Sequence, residues 1–192
     1  MQAQRDAFLA GQLKDVPLRD VVVLDESYAT TRFTRLRGRA VRGVRLVDRR
    51  VPHGHWKLLT ILAAVGVEGV VTAATVDAAT DAEVFRAFVD DALVPALRRG
   101  QVVVMDNLAA HKVAGVRDAI ERAGCRLVYL PPYSPDLSPI EPMWSKLKQA
   151  LRSAEARTVP ELTDAVGRAF TTITAGDCLG YFRHCGYTLH LK

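Results

Sequence analysis

Val21-Val22-Val23-Leu24 is a short β-branched run ending in Asp25-Glu26-Ser27, and residues 56–65 and 70–76 are two longer apolar runs joined by Gly66-Val67-Glu68-Gly69. The first predicts a strand and the other two a hairpin. Between 81 and 97 the period changes: Val84, Phe85, Phe88, Val89, Leu93 and Leu97 recur at helical spacing, and Arg98-Arg99-Gly100 supplies basic last-turn residues and a stop. Val102-Val103-Val104-Met105 runs into Asp106-Asn107 as a further strand, residues 113–123 read as a helix, and residues 126–130 as another strand. Strand and helix alternating in this way predict that part of the sheet is parallel.

The segment Leu130-Pro131-Pro132-Tyr133-Ser134-Pro135-Asp136-Leu137-Ser138-Pro139 holds four prolines in ten residues, which remove donors and fix φ, so it is a rigid loop. After it, Ile140, Met143, Trp144, Leu147 and Leu151 share one helical stripe, with Met143 and Trp144 read as core, and residues 159–173 predict another helix. The last twenty residues, with Tyr181, Phe182, Cys185 and Tyr187, suggest a short packed element and a tail. The expected fold class is α/β: a mixed sheet with an antiparallel hairpin plus parallel strands, flanked by helices.

A length of 192 residues with 49% hydrophobic and 24% charged residues suits one domain with a sizeable core. Neither a run of about 20 apolar residues nor a basic, apolar N-terminal leader is present, so a cytoplasmic protein without a membrane segment is expected. Cys125, Cys178 and Cys185 show no CxxC or framework spacing, which argues against disulfides and structural zinc.

Charge is unevenly placed. Arg32, Arg35, Arg37, Arg39, Arg42, Arg45, Arg49 and Arg50 face one acid, Asp48, so residues 32–50 carry +7 within a chain of net charge +5. Guanidinium groups suit bidentate phosphate contact, and a polyanion is the expected partner; a merely solvated loop is the alternative.

Asp25 and Asp106 each follow an apolar strand run, where ligand sites collect in open α/β sheets. Glu141 is a third acid, 34 residues beyond Asp106. It could instead close a capping box on Ser138, with Pro139 at the first helical position. Pro142 opposes this, because it has no N–H where the first intrahelical bond would fall. If the helix begins closer to Glu141, that carboxylate shares a helix edge with Lys148 and Arg152. Asp136 is the substitute acid should Glu141 be a cap. Three converging carboxylates would need cations, and hard oxygen donors favour Mg²⁺ or Mn²⁺; two such ions support in-line phosphoryl displacement. His53 and His55 have no third nitrogen or sulfur ligand nearby, so His55 and Lys57 are read as backbone or DNA contacts. Asn107 and His111 are read as DNA-contacting or supporting groups.

Asp25-Glu26-Ser27, Val104-Met105-Asp106-Asn107 with His111-Lys112, and the whole segment from Leu130 to Glu141 closely resemble the DDE transposases of bacterial insertion sequences related to the mariner elements. The resemblance runs over roughly residues 20–187, including Pro52-His53-Gly54-His55-Trp56-Lys57 and Tyr181-Phe182-Arg183-His184. It implies an RNase H-like fold in which Asp25, Asp106 and Glu141 bind two Mg²⁺ ions, with Mn²⁺ as a substitute, for DNA strand cleavage and transfer. It divides the chain into an N-terminal extension (1–19), a catalytic domain (20–187) with an arginine-rich insertion (28–54), and a tail (188–192). It also implies element ends and target DNA as partners, a homodimer in the active complex, and helix-turn-helix end recognition. The latter is expected on a separate reading frame, because only about 20 residues precede the first strand. The expected DNA contacts are Arg32, Arg35, Arg37, Arg39, Arg42, Arg45, His55, Lys57, Asn107, His111, Lys148 and Arg152. An RNase H-like nuclease without strand transfer, and an inert DNA-binding remnant, are the alternatives.

Overall fold

The parity of the valine run organises both layers of the molecule. In the computed structural model, which describes residues 7–47, 54–78, 81–107 and 114–187, the run opens the central strand β1 (Val21–Thr30). Val21 and Val23 join one buried cluster with Val102, Val104 and Val128, while Val22 and Leu24 join a second with Val103, Met105 and Leu127. A strand covered on both faces has no solvent side to mark with polar residues, hence the unbroken apolar run.

On one side β1 pairs antiparallel with β2 (Leu58–Gly66), which turns into β3 (Gly69–Val76). On the other it pairs parallel with β4 (Val102–Met105), which pairs parallel with β5 (Arg126–Tyr129). The order β3-β2-β1-β4-β5 confirms the mixed sheet. One face is covered by α1 (Ala82–Phe88), prolonged by a π-helical turn at Val89–Leu93 and a last turn at Val94–Ala96, and by α2 (Val116–Arg122). They bury Phe85, Phe88, Val89, Leu93, Val116, Ala119 and Ile120. The opposite face receives α3 (Ile140–Ala154), α4 (Val159–Phe170) and α5 (Ala175–His184), with Met143, Leu147, Leu151, Leu162, Val166 and Phe182 buried. Phe8, Leu13 and Leu18, from the segment preceding β1, join this layer.

Side chains set the starts of α1, α4 and α5. The Asp81 carboxylate accepts from the amides of Glu83 and Val84 at 3.0 and 2.9 Å, and Thr158–Glu161 and Thr174–Asp177 form capping boxes on α4 and α5. Each cap contributes about 1 kcal/mol. Lys146 of α3 also reaches the Asp177 carboxylate at 2.6 Å, tying two helices together and, with the Thr174 contacts, holding that carboxyl down at about 2.

Three expectations need adjustment. β1 does not stop at Leu24: β2 pairs along it from Asp25↔Ala63 to Thr30↔Leu58, so hydrogen bonding continues after the parallel neighbour has ended. Trp56 is not in the hairpin strand, which begins at Leu58; it is 54% exposed. The helix expected over 81–97 changes register at Val89, and Pro95 lies in its last turn.

The C-terminal end of the layer pins the proline loop. The buried Tyr187 hydroxyl donates to the Leu137 carbonyl at 2.9 Å, and the Tyr187 ring packs edge-on against Phe182 with centroids 5.3 Å apart. Tyr187→Phe keeps the ring and deletes the donor to a buried carbonyl. It is expected to lower stability by about 1–2 kcal/mol. In urea unfolding this is a lower midpoint at unchanged slope.

Candidate active site

The parallel register ends at Leu24↔Met105, so Asp25 and Asp106 follow side by side at the carboxyl edge of β1 and β4. Both continue the parity of Val21, Val23, Val102 and Val104, the positions that face the α3 layer. Glu141 arrives from that layer. α3 begins at Ile140 and has no side-chain cap; it is the Ser138 carbonyl, not its hydroxyl, that meets the Glu141 amide, at 3.1 Å. The capping-box alternative is therefore not realised. Pro142 sits in the first helical turn, where a missing N–H removes no intrahelical bond, and the Glu141 side chain is left exposed.

Asp25, Asp106 and Glu141 line one cleft of about 350 Å³, together with Asn107, Ser138, Tyr133, Pro131, Pro132 and Pro135. Asp136 does not line it. Burial raises the Asp25 carboxyl to about 6; Glu141 and Asp106 add to the rise, while the Trp144 indole and the Glu26 amide oppose it. Trp144 Nε1 donates to Asp25 Oδ2 at 2.9 Å. Trp144 is thus core, as its stripe predicts, and also part of the site. Its place one helical turn after Glu141 was the signal available in the sequence.

Lys148, one turn further along α3, does not line the cleft but is coupled electrostatically to its acids. Burial lowers its pKa, Glu141 and Asp25 raise it, and Arg152 lowers it, which places the ammonium among these charges. Its Nζ lies 5.0 Å from the centre of the Tyr28 ring, Arg152 stacks on Phe33 at 5.1 Å, and Arg32 on Trp56 at 4.9 Å. Cations over half-exposed aromatic rings hold their positions better than free side chains. Tyr28 and Phe33 were not singled out by the chain pattern, and Trp56 was read as the start of a hairpin strand.

Residues 31–47 form neither helix nor strand, and Arg35, Arg37, Arg39, Arg42 and Arg45 are all exposed on this segment and do not line the cleft. Its root is fixed: an Arg157 guanidinium nitrogen donates to the carbonyls of Thr31 and Phe33 at 3.1 and 2.8 Å. His55 and Lys57 are exposed on the returning side, and Thr31 exchanges two hydrogen bonds with Lys57. His111, with His53, Asp48, Arg49 and Arg50, lies outside the described residues.

The donor set of the cleft is all hard oxygen, and the ionised form of Asp25 is disfavoured by burial and by its two acidic neighbours, a penalty a divalent cation reverses. These residues fit such an ion. Among the described residues no three His, Cys, Asp or Glu side chains are placed closely enough to hold a metal ion as they stand.

A family model described as DDE superfamily endonuclease matches residues 20–163. The chain belongs to the DDE superfamily of endonucleases. Among solved structures, the fold matches the Mos1 pre-cleavage transpososome at 18% identity and TM-score 0.76, covering 96% of this chain and 57% of that one. The Mos1 mariner paired-end complex with Mn matches at 17% identity and TM-score 0.77, covering 96% and 56%. The isolated Mos1 mariner catalytic domain matches at 16% identity and TM-score 0.62, covering 96% and 84%. The sheet order and these matches establish an RNase H-like fold. The chain spans about 57% of the length of the transposase in the first of these complexes. No curated protein matches the sequence.

In this DDE endonuclease the raised Asp25 carboxyl makes a stability prediction. The folded value of about 6 exceeds the ordinary 3.8, so the native state binds more protons and stability falls as pH rises through that window. Asp25→Asn keeps an acceptor for Trp144 and removes the ionisation. In EDTA at pH 8 it is expected to be more stable than the parent by up to about 3 kcal/mol. The gain should vanish near pH 4; thermal melts across the range check the sign.

Proposed function

We propose that this chain is the catalytic domain of a DNA transposase, which cuts a strand at an element end and joins the freed 3′-hydroxyl to target DNA. The convergence of Asp25, Asp106 and Glu141 on one cleft is the observation that carries this reading. In it, residues 20–187 are the catalytic unit, 28–54 an arginine-rich insertion, 1–19 an extension and 188–192 a tail.

The three carboxylates would hold two Mg²⁺ ions, with Mn²⁺ as a substitute. When bound, such ions polarise the phosphate and stabilise the attacking and leaving oxygens. The chain's own residues do the positioning. Asp25 is fixed by the Trp144 indole, Asp106 is placed beside it by strand register, and Glu141 is presented by a helix whose start the proline loop sets. Lys148 would bring a cation to the phosphate beside Glu141, and Asn107 adds a polar group to the cleft lining. In each step one P–O bond forms as one breaks: water attacks and a 3′-oxygen leaves, then the 3′-hydroxyl attacks a target phosphate and another 3′-oxygen leaves.

Arg32, Arg35, Arg37, Arg39, Arg42 and Arg45, with His55, Lys57, His111 and Arg152, would grip the DNA backbone. The Mos1 structures support DNA ends as partners and divalent metal use: they include a paired-end complex with the left transposon end, a strand transfer complex, and complexes with Mg and with Mn. A homodimer in the active complex, and end recognition by a separately encoded helix-turn-helix, complete the proposal. Action in the cytoplasm on nucleoid DNA belongs to the same proposal; among the described residues no helix is long and apolar enough to cross a membrane.

Asp106→Asn and Glu141→Gln are each expected to lower metal-dependent nicking by on the order of 10³-fold, several kcal/mol of lost transition-state stabilisation, while circular dichroism and thermal melting stay near the parent's. Joined products in the parent reaction support strand transfer. Nicking without joining marks a nuclease, and DNA binding without either marks an inert remnant. A second measurement addresses the insertion. Replacing Arg35, Arg37 and Arg39 by alanine is expected to flatten the dependence of log K on log salt by about 0.9 for every phosphate the protein no longer neutralises. An unchanged slope in a filter-binding titration would remove these arginines from the interface.

A further inference from the structure

Tyr133 is where local preference and burial both fail to explain the structure. Its φ is +55°, a left-handed backbone that a bulky aromatic residue rarely adopts. Its side chain is 93% exposed, more than any other large hydrophobic side chain among the described residues. Two other exposed aromatics carry cations on their rings, Lys148 over Tyr28 and Arg32 over Trp56. Tyr133 stands at the rim of the carboxylate cleft.

The loop beneath it is held firmly. Pro131 and Pro132 precede the ring and Pro135 follows it, the Ser134 hydroxyl donates to the Pro132 carbonyl at 3.3 Å, and Leu137 is clamped by Tyr187 at 2.9 Å. A strained residue that persists does so because its surroundings over-determine it, and such residues cluster at functional sites. Here the strain turns an aromatic face outward, on a rigid support, next to the place proposed for a phosphate. A flat ring at that position matches a nucleobase, and stacking is tolerant of base identity because every base offers a π-face. In an intact duplex each base is already stacked on both sides, so the ring can engage only where a base step has opened.

We propose that Tyr133 stacks on an unstacked base of the strand whose phosphate occupies the cleft, holding that strand open beside the carboxylates. This rests on the DNA-cutting reading above. The ligand is an unpaired or unstacked nucleotide, of any base, adjacent to the reacting phosphate.

The test uses the full chain carrying Glu141→Gln, so that DNA stays intact, and a short nicked duplex with unpaired 5-iododeoxyuridine at the nick. Long-wavelength irradiation followed by peptide mapping is expected to place a crosslink on Tyr133. Tyr133→Phe should bind within about twofold of the Glu141→Gln parent. Tyr133→Gly accepts φ of +55° without cost, so it removes the ring without moving the loop. It should lose the crosslink and bind about 5- to 150-fold more weakly, the range for one base–aromatic stack. Crosslinks elsewhere with unchanged Tyr133→Gly affinity overturn the inference and leave the proposed function standing. Equal weakening of the Phe and Gly variants overturns stacking in favour of a hydroxyl contact. An effect of Tyr133→Gly on self-association alone makes it a protein contact and overturns the inference too. Failure of every form, parent included, to bind DNA overturns the functional reading and the stack together.

Discussion

Two carboxylates side by side at the end of a buried strand pair are an electrostatic burden, and much of the architecture can be understood from how that burden is carried. Asp25 stands directly after four fully buried residues of β1, and the parallel register with β4 sets Asp106 next to it. Asp25 is half-buried at the base of the cleft, and its charge is opposed by burial first and by its acidic neighbours second. The Trp144 indole offsets part of this by donating a hydrogen bond from within the core. That bond also ties the chemistry to the packing: the residue that fills the stripe of α3 is the one that orients the Asp25 carboxylate.

The third carboxylate depends on a different device. Glu141 could have satisfied a helix end, and a serine three residues earlier offers it that role. What prevents it is the late start of α3, with Pro139 as the flanking residue and Pro142 in the first turn. Prolines occupy positions where no intrahelical donor is needed, so the helix loses nothing and the acid is released into the cleft. The loop that delivers this helix is fastened at Leu137 by Tyr187, from the far end of the chain. Placement of Glu141 is thus a property of the whole α3–α5 layer, and not of the loop alone.

Much of this was legible in the chain. The valine runs, the helical spacing of 81–97 and the stripe from Ile140 to Leu151 encode burial, and burial is what hydrophobic period reports. The acids were legible because each interrupts or follows such a pattern. The polar half of β1 was not, since residues 25–30 are held by pairing with β2 and not by burial on both faces. The Trp144 contact was hidden for a related reason: a tryptophan on an apolar stripe satisfies the core rule completely, and its N–H partner is 119 residues away in sequence. Tyr133 was hidden in another way, since proline content announces rigidity without saying which side chain the rigid loop presents.

The remaining feature is the separation of charge from chemistry. The arginines from Arg32 to Arg45 lie on an exposed segment with no regular structure, rooted at Arg157 through the carbonyls of Thr31 and Phe33, whereas the cleft itself holds three acids, with Lys148 coupled to two of them from α3. Crowding those arginines into the cleft would neutralise the carboxylates and compete with divalent cations for them. Placed outside it, they can supply sequence-independent attraction to a polyanion without disturbing the acidic donor set. The strand from Asp25 to Thr30 then links the two: its first residue belongs to the cleft, and its last leads into the basic segment. A nucleic acid held along that segment would be guided to the carboxylates by the geometry of one β-strand.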